Sequence, residues 1–139
     1  MFRTLLLVMA VPLLAGEMDD IRKEPDPLRR SERALDFADR EIKEAHDMPG
    51  RGDSAKVAEV LAQLADACEV SLQALRDTGK RAGKLTKYYK KGELKTREYL
   101  RRLESLIPAL NYEDRARAEP FQTRLTATHE EYLLGVMSK

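Results

Sequence analysis

Val57, Leu61, Leu64, Cys68, Leu72 and Leu75 recur at steps of three and four residues, the spacing that aligns side chains along one stripe of an α-helix. An apolar stripe of this length must be covered by something, and three other segments of the chain carry stripes that can cover it. Leu28, Leu35, Ala38, Ile42 and Ala45 predict a helix from near Pro27 to near Asp47. The Val57 stripe is the second helix and ends near Thr78. Tyr88 or Tyr89, Thr96, Tyr99, Leu103 and Leu106 or Ile107 predict a third that starts near Lys87. Tyr112, Ala116, Phe121, Leu125, Tyr132, Leu133 and Val136 supply the apolar side of a fourth.

The breaks between these segments have their own chemistry. Met48-Pro49-Gly50-Arg51-Gly52 ends the first helix, and Asp53 or Ser54 is placed to cap the second by accepting a bond from a free backbone amide. Gly79 and Gly83 sit among lysines in a basic loop, Pro108 limits the third helix, and Asn111 is placed to cap the fourth, with Glu113 and Asp114 near the positive end of its dipole. Pro120 falls inside the fourth helix, removes one backbone donor and clashes with the preceding turn, so a kink is expected there. Gly135 is expected to begin its fraying end. Charged residues make up 35% of the chain, aromatics 6% and Trp none, a balance that suits helices with solvated faces. The expected fold is all-α, an up-down-up-down four-helix bundle over residues 27–139.

Residues 1–16 read as a signal peptide. Arg3 gives a positive start, Leu5 to Val11 a short apolar run, and Ala15-Gly16 small residues for cleavage. The run is interrupted by Pro12 and falls short of the roughly 20 residues of a membrane-crossing helix, so no transmembrane anchor is expected. Glu17 stands where a lipoprotein signal needs cysteine. Cleavage after Gly16 would leave 123 residues, of which 17–26, polar and carrying Pro25, form a flexible lead-in. The chain is then exported, to a periplasm or beyond the cell.

No catalytic arrangement stands out, and no cofactor is expected. Cys68 is the single cysteine and lies on the second stripe, which makes it a buried thiol and excludes an internal disulfide. His46 and His129 are the only histidines. A di-iron bundle would place Glu three residues before each, where Lys43 and Thr126 stand, and a zinc protease would need a second His after His129-Glu130. Asp36 with Asp39 and Glu130 with Glu131 sit among charges on exposed faces rather than facing one cleft. Two alternatives to a non-catalytic protein stay open: a bundle holding a small ligand, metal or haem between helices, for instance through His129 and a methionine, or an enzyme with a dispersed site.

Charge is unevenly spread. Residues 76–102 hold eleven basic side chains against three acidic, whereas 17–75 hold nine against fifteen. Lys80, Arg81, Lys84, Lys87, Lys90, Lys91 and Lys95, interleaved with Tyr88 and Tyr89, therefore form the candidate binding region, suited to an anionic polymer, lipid head groups or a partner protein of the cell envelope. The competing reading pairs these cations with the acidic first and second helices or leaves them solvated. A net charge of +1 and export both disfavour nucleic acid as the partner. Arg51-Gly52-Asp53 matches an integrin-recognition tripeptide in letters, but a turn glycine and a capping aspartate account for it.

Glu93-Leu94-Lys95-Thr96-Arg97-Glu98-Tyr99-Leu100-Arg101-Arg102-Leu103 and His129-Glu130-Glu131-Tyr132-Leu133-Leu134-Gly135 resemble segments of small exported bacterial helical proteins of unassigned function. That resemblance implies a leader and helices and carries no chemistry. Leu85-Thr86-Lys87-Tyr88-Tyr89 and Leu125-Thr126-Ala127-Thr128-His129 further resemble the paired Leu-Thr-x-x-Gln motifs of the periplasmic stress-adaptor and chaperone family, with Tyr89 and His129 in place of the final Gln. The function expected is that of an exported, non-catalytic interaction or scaffold protein of the envelope.

Overall fold

The structure, a computed structural model, describes residues 13–138. Most of the expected leader, residues 1–12, lies outside the described residues. Five α-helices account for nearly all of the described residues: α1 (Leu13–Arg22), α2 (Pro27–Asp47), α3 (Val57–Asp77), α4 (Thr86–Leu106) and α5 (Tyr112–Met137), with two 3-10 turns between α2 and α3, one in each of the next two connections, and no strand among the described residues.

The ends of the helices follow local chemistry closely. Pro27 opens α2 behind Asp26, whose side chain accepts from the Leu28 amide at 3.1 Å. Asn111 caps α5 by accepting from the Asp114 amide at 2.8 Å. Gly52 closes the break after α2 in the left-handed conformation, φ 78°. The expected cap of α3 is different: neither Asp53 nor Ser54 caps it, because a 3-10 turn, Ser54–Lys56, intervenes and α3 starts at Val57 behind Lys56. Arg51 is drawn into an ion pair with Glu44 at 2.6 Å, so two of the tripeptide's three residues have structural work. Pro120 stands inside α5, which is helical on both sides of it.

Two segments differ from the expectation of the sequence. The segment 17–26, expected as a flexible lead-in, is helical as far as Arg22, and α1 lies on α2 with Met18 4% and Ile21 1% exposed. Met18 and Ile21, three apart, form a single apolar pair among acids, too short a pattern to announce a helix. In α5 the true inward positions are Asp114, Ala118, Phe121, Leu125, Thr128, Tyr132 and Gly135, a seven-residue alternation of three and four, while Tyr112, Ala116 and Leu133 are exposed. Gly135 does not fray; it is buried in the α4–α5 contact.

α2 packs antiparallel on α3, with Arg30 reaching Asp77 at 2.9 Å, and the buried Ala34, Ala38, Ala45, Ala67 and Ala74 let the two helices lie close. α4 packs antiparallel on α5. The hairpins meet chiefly through α3 and α5. These two run in the same direction, since Arg124 reaches Asp66 and Glu69 while Tyr132, eight residues on, meets Ser71. The main core joins α1, α2 and α3 to the adjoining parts of α4 and α5. A second cluster, Leu72, Leu75, Leu85, Tyr89 and Tyr132, fills the end where the basic loop connects α3 to α4.

Candidate functional site: a cationic end of the bundle

Two glycines set the geometry of α4 against α5. A Cβ on Gly92 of α4 would fall within the Tyr132 ring of α5, and a Cβ on Gly135 of α5 within the Tyr89 ring of α4. Each helix thus lends a bare backbone patch to the other's tyrosine, and the two rings meet edge to face at 5.9 Å and 71°. The Tyr132 hydroxyl donates to Ser71 Oγ at 2.5 Å, and Ser71 donates in turn to the Cys68 carbonyl at 2.7 Å. This interlock holds the first half of α4 rigidly along the end of α5.

The outer side of that half-helix carries the cations. Lys80 and Arg81 stand in the loop, Lys84 in the 3-10 turn Ala82–Lys84, and Lys87, Lys90 and Lys91 on the first turns of α4, all exposed. None of these six makes an ion pair with a described residue, although acids on α2, α3 and α5 take part in pairs elsewhere. The remaining members of the candidate region go otherwise. Lys95 turns inward and pairs with Asp39 at 2.9 Å, Tyr89 is buried in the interlock, and Tyr88 packs half-buried on the second cluster with the Lys87 ammonium 5.9 Å from its ring. Lys95 and Tyr89 therefore belong to the support rather than to the surface. The α4 N-terminus adds its own positive dipole to the same end.

Other titratable groups serve the fold. Asp39 accepts from the Tyr99 hydroxyl at 2.5 Å as well as from Lys95; burial, and then the bond to Asp39, push the Tyr99 phenol up. Asp39 is thus not the free surface acid its neighbourhood suggested. His129 is half-buried, with Nε2 3.4 Å from Glu93, and Arg97 holds the other Glu93 oxygen at 2.9 Å. Burial pushes the Cys68 thiol up, with Glu69 and Asp39 adding to the effect, which leaves it protonated and unreactive. The Arg124 guanidinium is held charged by its bonds to Glu69 and Asp66.

Among the described residues, Glu41 is the one carboxyl displaced into the neutral range. It is 2% exposed on α2, and its Oε2 has no hydrogen-bond partner in the described protein. Burial first, then the Glu17 and Glu44 carboxylates, raise it to about 7 against the opposing effect of Arg40.

Among the described residues no three His, Cys, Asp or Glu side chains gather as they would around a metal ion. Two shallow clefts lie among the described residues. One, about 380 Å³, lies over Arg22, Arg30, Val70 and Asp77; the other, about 350 Å³, lies along the α3–α5 seam over Glu69, Arg76, Arg124 and Glu131. Their charged walls are already joined to one another, leaving no converging free polar groups. Comparison with known proteins found no match: no family model, no curated protein and no solved structure.

Proposed function

We propose that this chain is an exported, non-catalytic helical bundle, of the kind its resemblance to small exported bacterial proteins implies, that works by presenting its cationic end to an anionic partner. In this reading α2 to α5 alternate in direction, α5 bends at Pro120, and residues 1–16 direct export. The observation that carries it is the pairing pattern: Lys80, Arg81, Lys84, Lys87, Lys90 and Lys91 stand free of described carboxylates, while Lys95, whose side chain is directed inward, is neutralised by Asp39. Clustered unpaired cations raise the folded protein's self-repulsion. A polyanion relieves that repulsion and releases counterions as it binds.

The test is binding to inorganic polyphosphate at increasing sodium chloride. Affinity is expected to fall steeply with salt, and the triple variant Lys84→Glu, Lys87→Glu, Lys91→Glu is expected to lose more than about tenfold at low salt. A triple variant that binds as the parent does, or a parent that does not bind at low salt, removes the proposal. Export is tested separately with a phosphatase reporter active only outside the cytosol. Deleting residues 1–16 is expected to abolish its activity.

A further inference from the structure

The cationic end also carries bare apolar side chains, and their placement narrows the partner. Leu94 on α4 is 57% exposed, and on α5 Leu134 is 58%, Met137 71% and Leu133 38% exposed. Leu94 stands three, four and seven residues after Lys91, Lys90 and Lys87, so all four share one helical face. Leu133 follows His129 by one turn, and His129 meets Glu93 of α4. With Gly92 against Tyr132 and Tyr89 against Gly135 setting the antiparallel register, Leu133 comes level with Lys91, and Met137 lies one turn further toward the loop. Leucines and a methionine thus sit between and beside lysines on the outer side of the α4–α5 hairpin.

We propose that the partner of this face is the surface of an anionic lipid bilayer. The proposal rests on the polyanion reading above and makes it specific. A soluble polyanion draws only on the cations and gains nothing from leucines that stay in water. A bilayer surface uses both, with phosphates taking the lysines while Leu94, Leu133, Leu134 and Met137 enter the boundary between head groups and acyl chains. The acids near this face are largely engaged: Glu93 by Arg97 and His129, Glu98 by Arg102, and Glu131 by Arg76. Glu130 makes no such pair with a described residue and opposes the lysines locally. No described helix is long and apolar enough to cross a membrane, so the contact would be made by a folded face lying on the surface.

The experiment is co-sedimentation of the full 139-residue chain with vesicles of phosphatidylglycerol and phosphatidylcholine. Pure phosphatidylcholine vesicles measure the binding that needs no anionic lipid, including any made by the apolar Leu5 to Val11 segment, and polyphosphate binding runs in parallel. The double variant Leu94→Ser, Met137→Ser changes only exposed side chains; it is expected to lose about tenfold in partitioning to the anionic vesicles and nothing toward polyphosphate. Lys87→Gln with Lys91→Gln is expected to lose roughly 20-fold on those vesicles and to weaken polyphosphate as well. If the Leu94, Met137 variant partitions like the parent while polyphosphate still binds, the bilayer is the wrong partner and the polyanion reading survives. If neither anionic surface is bound above the phosphatidylcholine level, both fall.

Discussion

Glu41 makes stability depend on pH in the opposite sense to a salt-bridged carboxylate. Its folded value of about 7 lies above the ordinary 4.5, so the folded state keeps a proton that the unfolded chain releases. The stability that this group contributes is full below about pH 4.5 and is lost as pH rises through 7, an effect of about 3 kcal/mol. Glu41→Gln is expected to melt with the parent at pH 4.5 and well above it at pH 8; identical melting at pH 8 would mean the carboxyl is not isolated as described. Gly92 is the other residue on which much turns. Gly92→Ala forces a methyl into the Tyr132 ring, and the expected loss is about 2–3 kcal/mol by chemical denaturation, against the usual gain for Gly→Ala within a helix. The sequence shows Gly92 only as a poor helix former between Lys91 and Glu93. Its value lies in what stands opposite.

At the scale of elements, α1 contributes through two side chains. Met18 and Ile21 join the main core on the α2–α3 pair, and Glu17 on the same helix, itself held by Arg40, acts on Glu41. Ile21→Ala is expected to destabilise the bundle by about 2–4 kcal/mol, measured by urea unfolding. A flexible segment would lose nothing. The same substitution should reduce the pH dependence of Glu41, because a loosened α1 lets water reach the carboxyl. α5 shows the converse. Tyr112, Leu133, Leu134 and Met137 give it more apolar residues than its buried seven-residue alternation uses, and the surplus is what leaves the cationic end partly greasy.

For the whole molecule, the stripes and the cationic face predict unlike responses to charge. Leu64→Asp or Leu103→Asp buries an unpaired carboxylate and is expected to cost several kcal/mol or to prevent folding, whereas Lys90→Glu, fully in water, should shift stability by only a few tenths. Comparable melting of all three variants would contradict the packing. The loop end concentrates Lys80 to Lys91 on one side, while the α3–α5 seam is bound by Arg124 to Asp66 and Glu69 and by Arg76 to Glu131. The molecule therefore has a neutralised flank and an unneutralised end.

The spans of α2, α3 and α4 were legible because each is set by interactions within a few residues: the period of its apolar side chains, Pro27 and Asp26 at one start, Gly52 and Gly79 after two ends. So was the buried state of Cys68, fixed by its place in a stripe. The cationic region was legible as composition, but which of its members face water was not. Tyr88 or Tyr89, and Lys95 or Lys91, are interchangeable until a neighbouring helix takes one of them inward. The burial of α1, the phase of α5, the seating of two tyrosines on two glycines and the isolation of Glu41 all arise between segments far apart in the chain. Local pattern determines where a helix runs; only the partner packed against it decides which of its sides is dry.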